Sequence, residues 1–150
     1  MDLMRIRRKM MDQNLYTPSG VVAYRPNNNS VVADANSIKI TALGNSYAYG
    51  AAHKPLSTLN LVSGRRYVIY AKVGECFGGN LTAAIKLRNS SNSFTGDSSN
   101  EVSNPTAGDS VKLVFTYDPN NQANIVFMIG IGVKAANQGD FIKFTDIYIG

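Results

Sequence analysis

The chain has 150 residues, enough for one domain with a single core and no second one. One cysteine, Cys76, and one histidine, His53, exclude an intrachain disulfide and a His/Cys metal cluster; only a hard cation held by oxygens near Asp140 or Asp146 would be conceivable, and no metal or cofactor is expected. The net charge of +5 is concentrated at the start, where Arg5, Arg7, Arg8 and Lys9 stand against Asp2, so the remaining body carries only +2 and lacks the basic, aromatic-laced stripe of a nucleic-acid-binding surface.

The opening MDLMRIRRKMMDQ has the charged beginning of a signal peptide but neither the apolar stretch nor the cleavage site that should follow, so secretion by that route is not expected. Leu3, Met4, Ile6, Met10 and Met11 would give a short helix a Met-rich face able to adapt to an irregular partner. A dozen residues cannot hold a helix alone, so residues 1–13 read as an arm on a neighbouring subunit, with Arg5, Arg7, Arg8, Lys9, Met10 and Met11 as its candidate assembly residues. The alternative is a solvated, disordered start. No later stretch is apolar for the ~20 residues that span a bilayer, and no membrane partner is expected.

From Asn14 onward, short apolar runs punctuated by Gly, Pro, Asn and Ser predict an all-β domain over 14–150 with almost no helix. Strands are expected near 20–24, 30–33, 36–43, 46–52, 56–61, 65–74, 80–88, 110–118, 123–134 and 140–149. Between Leu59 and Val73 a turn at Ser63-Gly64 leads into a strict period-2 alternation, with Tyr67, Ile69, Ala71 and Val73 on one face. Further core rows are Leu81, Ala83, Ile85 and Leu87; Val111, Leu113, Phe115 and Tyr117; and Ile125, Phe127, Ile129, Ile131 and Val133. The opposite row of the last of these, Val126, Met128, Gly130 and Gly132, is too apolar for open solvent, so it is either covered or approached closely by another element. In the closing strand Ile142 and Phe144 are out of phase with Ile147 and Ile149, and a bulge at Thr145-Asp146 would return all four to the core. The polar segment from Asn89 to Ser110 is long enough to be a functional loop.

Catalysis finds no support. The acids sit mostly in turns, and His53 in AAHKP prompts no nucleophile, base or orienting triad, so no catalytic residue is expected. Sugar binding needs aromatic faces framed by amides and carboxylates, and the chain offers eight Tyr and six Phe but no Trp. Tyr47 and Tyr49, alternating beside Asn45, His53 and Lys54, form the best candidate platform, with Phe77 and Phe94 as additions from loops. The alternative places Tyr47 and Tyr49 in the core or in a subunit interface.

The strand from Leu59 to Val73 and the closing DFIKFTDIYIG together resemble the jelly-roll carbohydrate-binding-module families. Asn14-Leu15 is similar to their opening strand, Leu59, Leu61, Gly64, Tyr67, Ala71 and Lys72 to their central strand, and Phe144, Asp146, Ile147 and Ile149 to their last. The resemblance implies an antiparallel jelly-roll β-sandwich and speaks to topology far more than to ligand. Such domains also occur in bacteriophage virions, and the Met- and Arg-rich start running straight into the first strand resembles small phage structural proteins. That implies a virion protein, as capsid decoration or in a tail or fibre, with other virion proteins as partners, a homo-oligomeric state of which a trimer is the favoured form, and host glycans as a candidate contact. A stand-alone carbohydrate-binding module is the alternative.

Overall fold

The computed structural model of the chain describes residues 14–44, 51–130 and 137–150. Its strands in chain order are β1 (Val22–Ala23), β2 (Asn29–Ala33), β3 (Ser37–Ala42), β4 (Ala51–Pro55), β5 (Arg66–Phe77), β6 (Thr82–Arg88), β7 (Phe94–Ser98), β8 (Val102–Ser103), β9 (Ser110–Thr116), β10 (Asn124–Met128) and β11 (Phe141–Ile149). They form two sheets, one ordered β1-β4-β10-β6-β7 with β8 also on β6, the other ordered β2-β3-β11-β5-β9. Every pairing is antiparallel, and the chain passes repeatedly from one sheet to the other, as the expected jelly-roll sandwich requires.

The alternating rows supply the core between the sheets. Tyr67, Ile69, Ala71 and Val73 of β5 meet Val111, Leu113 and Phe115 of β9 and Ile142, Phe144, Ile147 and Ile149 of β11, and all are buried. Across the sandwich they pack on Leu81, Ala83, Ile85 and Leu87 of the β6 region and on Ile125, Phe127 and Ile129 of the β10 region, with the Phe127 and Phe144 rings 5.9 Å apart. The half-buried thiol of Cys76 donates to the Pro105 carbonyl at 3.1 Å, and burial pushes its pKa up, so it is a packing group rather than a nucleophile.

Two bulges face each other between β5 and β11. One extra residue at Asp146, whose φ of +50° is left-handed, restores Ile147 and Ile149 to the core, where the sequence places the phase change. The other lies in β5 at Gly74, where a Cβ would stand 2.5 Å from Thr145 Cγ2. Only glycine lets the two backbones approach this closely.

Two expectations are corrected. Residues 56–61 are not a strand: Leu56–Leu59 form a 3-10 turn, because burial of Leu56 and Leu59 three residues apart suits a helical turn, Thr58 Oγ1 donates to the Pro55 carbonyl, and Asn60 ends the turn at φ +54°. Nor is the span from Asn89 to Ser110 an open loop. It contains β7 and β8, whose polar sequences FTGDS and VS carry too little apolar alternation to announce strands yet pair with β6 by backbone hydrogen bonds.

Residues 14–20 lie along both sheets. Leu15 N–H donates to the Ile149 carbonyl, and the Asn14 side chain both donates to the Ile147 carbonyl and accepts from Ile149 N–H. Lys54, fully buried, donates to the Ser19 carbonyl at 2.7 Å with its ammonium 5.8 Å from the Tyr16 ring centre, and burial lowers its pKa. The expected arm over residues 1–13 lies outside the described residues.

Candidate functional site

The outer face of the sheet β1-β4-β10-β6-β7, turned away from the core, gathers rings and cations over an apolar floor. Strand register puts Ala51, His53, Ala84, Lys86, Arg88, Asn124, Val126 and Met128 on that face, since cross-strand partners share a side. Ala51, Ala84, Val126 and Met128 are buried there as a second apolar cluster, with Tyr24 packed against it. Val126 and Met128 of the apolar outer row expected of β10 are therefore buried, while Gly132 of that row, like Ile131 and Val133 of the core row, lies outside the described residues.

Above this floor stands an aromatic and cationic group. Tyr24 stacks on His53 with centroids 4.7 Å apart and planes 15° from parallel. The Arg88 guanidinium lies 4.3 Å from the centre of the Tyr24 ring and 4.3 Å from that of Phe94, so two rings flank one cation. Register explains half of this, because Arg88 of β6 is the direct partner of Phe94 of β7. Arg25 reaches the Tyr24 ring at 5.3 Å, and Lys86 reaches Phe94 at 5.6 Å while pairing with Glu101 at 3.1 Å.

The electrostatics follow from this crowding. His53 is 8% exposed and its Nε2 is buried with no hydrogen-bond partner; burial first, and the Arg88 charge second, push its pKa down to about 4, so the ring is neutral near pH 7. Polar contact with Arg88, reinforced by Arg25, holds the Tyr24 phenol below the usual tyrosine range. Arg88 is 4% exposed, and its Nε is likewise buried without a partner.

Of the residues expected to bind sugar, Phe94 is part of this group and is 44% exposed on the edge strand. Phe77 is not: it is 67% exposed on the other sheet, paired with Phe141, so the two phenylalanines do not converge. Asn45, Tyr47 and Tyr49 lie outside the described residues. Asp140 is buried and accepts from Asn137 N–H, Asp146 is exposed at its bulge, and among the described residues no three His, Cys, Asp or Glu side chains gather as metal ligands.

Tyr24 and Arg88 were not singled out by the sequence as site residues, and His53 was named only as a neighbour of the Tyr47 and Tyr49 platform. Arg88 and Lys86 do stand on the polar side of an alternating strand, but nothing local shows that β1 and β4 bring Tyr24 and His53 to them, because those pairings join residues far apart in the chain.

Comparison with solved structures assigns the architecture. A family 4 carbohydrate-binding module superposes with a TM-score of 0.55 at 13% identity, covering 89% of this chain and 95% of that one. A mutant of a family 29 carbohydrate-binding module gives 0.54 at 15% identity over 91% and 88%, and the CBM22-1 xylan-binding domain of Paenibacillus barcinonensis Xyn10C gives 0.50 at 13% identity over 89% and 86%. The chain has the jelly-roll fold of carbohydrate-binding modules. At these identities the likeness is one of fold alone. No protein-family profile and no curated protein sequence matches the chain.

Proposed function

We propose that the chain is a non-catalytic carbohydrate-binding module that holds a glycan on the outer face of the sheet β1-β4-β10-β6-β7. The observation carrying this reading is the gathering of Tyr24, His53, Arg88 and Phe94 over an apolar floor on one sheet face. Ring faces offer the apolar side of a sugar a stacking surface, and Arg88, Lys86 and Asn124 offer its hydroxyls donors and amides at the same height. The three solved structures compared above are carbohydrate-binding modules, which supports the class of ligand without choosing one. Affinity electrophoresis through polysaccharide-laced gels tests it: Tyr24→Ala and Phe94→Ala should each release a retarded protein, while Phe77→Ala on the other sheet should not. Equal retardation of all three variants and the parent would refute the placement.

A second reading sets the same domain in a virion, as capsid decoration or part of a tail or fibre, in a homo-oligomer such as a trimer. It is favoured by the concentration of Arg5, Arg7, Arg8 and Lys9 with Met10 and Met11 ahead of the domain, a composition suited to docking on a neighbouring subunit. The two readings are compatible, because the arm and the sheet face are different parts of the chain.

A further inference from the structure

We infer that the glycan held on this face is acidic, and that its carboxylate or sulfate group is seated on Arg88. The inference rests on the carbohydrate-binding reading and adds the class of sugar. A guanidinium carries five N–H donors and no acceptor, and burying one normally requires a carboxylate or several carbonyls around it. Arg88 is 4% exposed; its Nε is buried without a partner, the acceptor it does meet is the neutral Tyr24 hydroxyl, and the nearby carboxylate of Glu101 is paired with Lys86.

The rings of Tyr24 and Phe94 hold the guanidinium between them at 4.3 Å each. They steady its plane through their π faces, and the Tyr24 hydroxyl accepts a hydrogen bond from it, so a planar anion would be met by the donors that remain, Nε among them. Phe94 is 44% exposed on the edge strand, so the cluster is open to solvent on that side.

The surrounding charge points the same way. Arg25 stands over Tyr24, Lys86 stands two residues before Arg88 on the same face of β6, and the neighbouring acid, Glu101, is committed to Lys86. Asp97 of β7 is turned to other partners, accepting from Thr95 and Gln122. His53 beneath Tyr24 is neutral near pH 7 and offers no competing charge. A sugar acid would therefore meet an unneutralised guanidinium in a partly dehydrated site, whereas a neutral sugar would leave that charge unpaired.

Isothermal titration of the full chain against polygalacturonate, chondroitin sulfate and neutral glucomannan, with sodium sulfate as an inorganic competitor, separates the possibilities. The parent should bind one of the two acidic polymers at least about tenfold tighter than glucomannan, and the preferred polymer tells carboxylate from sulfate. Arg88→Gln should remove that preference, weakening binding of the acidic polymer at least about tenfold more than binding of glucomannan, and Arg88→Lys should retain only part of it. If Arg88→Gln does not fold, Glu101→Gln provides the independent arm: releasing Lys86 should tighten binding of the acidic polymer and steepen its salt dependence. Equal affinity for acidic and neutral polymers, unaltered by Arg88→Gln or Glu101→Gln, would overturn this inference and leave the carbohydrate-binding reading standing. Binding of none of the three polymers would overturn both, and capture of inorganic sulfate without discrimination among polymers would reduce Arg88 to an anion site unconnected with glycans.

Discussion

His53 gives the fold a pH dependence whose direction follows from its surroundings. In the unfolded chain it takes up a proton below about pH 6.5, whereas in the native sheet burial and Arg88 delay protonation until about pH 4. Between those values the unfolded state binds more protons than the native one. Stability is therefore full above the unfolded value and falls as pH drops to the folded value, by about 3 kcal/mol for the full shift. Thermal melts from pH 7.5 to 4 should show a step in that window that disappears in His53→Gln; an unchanged step would place it on another group. Gly74 is equally intolerant of change. Alanine there would drive Cβ to 2.5 Å from the Thr145 methyl on a stiff β-branched side chain, at a cost of about 1 to 3 kcal/mol, and Thr145→Ala in the same chain should recover most of the loss. Core membership was legible residue by residue, since Tyr67, Ile69, Ile85, Leu87, Leu113, Phe115, Phe127, Ile129 and Phe144 are all buried where alternation placed them. Arg88 was not legible as a site residue, because an arginine on a strand's polar row looks the same whether water or two rings surround it.

The strongest element-level device is the strap made by the start of the described chain on the last strand. Asn14 uses its amide as donor to the Ile147 carbonyl and as acceptor from Ile149 N–H, just past the bulge at Asp146, and Leu15 adds a backbone bond. Asn14→Ala removes these two bonds and a third, from Tyr16 N–H to the Asn14 amide oxygen, and leaves a strand end with unmet groups, so it should cost about 1 to 3 kcal/mol in chemical denaturation. Asn14→Asp, which keeps the acceptor and loses the donor, should fall between the two; a neutral Asn14→Ala would mean that water replaces the amide without penalty. Strands with a clear apolar period, β5, β9 and β11, were legible in the sequence, and so was the bulge in β11, because a phase error in burial has only one local remedy. β7 and β8 were not. Edge strands owe their existence to the backbone ladder of β6, and their polar, glycine-bearing sequences satisfy solvent rather than a core.

For the whole molecule we propose a division of work between the sandwich and the residues ahead of it, and their separability can be tested directly. The described fold is closed by contacts that begin at Asn14: the strap on β11, the buried Tyr16 whose hydroxyl donates to the Asp34 carbonyl, and the Lys54 ammonium on the Ser19 carbonyl. Residues 1–13 carry +2 of the chain's +5, four basic side chains between positions 5 and 9 against Asp2 and Asp12. Like charges gathered within a few residues repel one another and favour a partner that neutralises them. A chain of residues 14–150 should therefore unfold at nearly the same temperature as the full chain and bind polysaccharide with the same affinity, while losing self-association and any incorporation into a particle. Sedimentation velocity and gel retardation on the two proteins read both properties at once. If the shortened chain assembles as well as the full one, the arm has no assembly role and the virion reading loses its support. If instead its melting temperature drops by many degrees, residues 1–13 belong to the sandwich, and the boundary between arm and domain has to move toward the start of the chain.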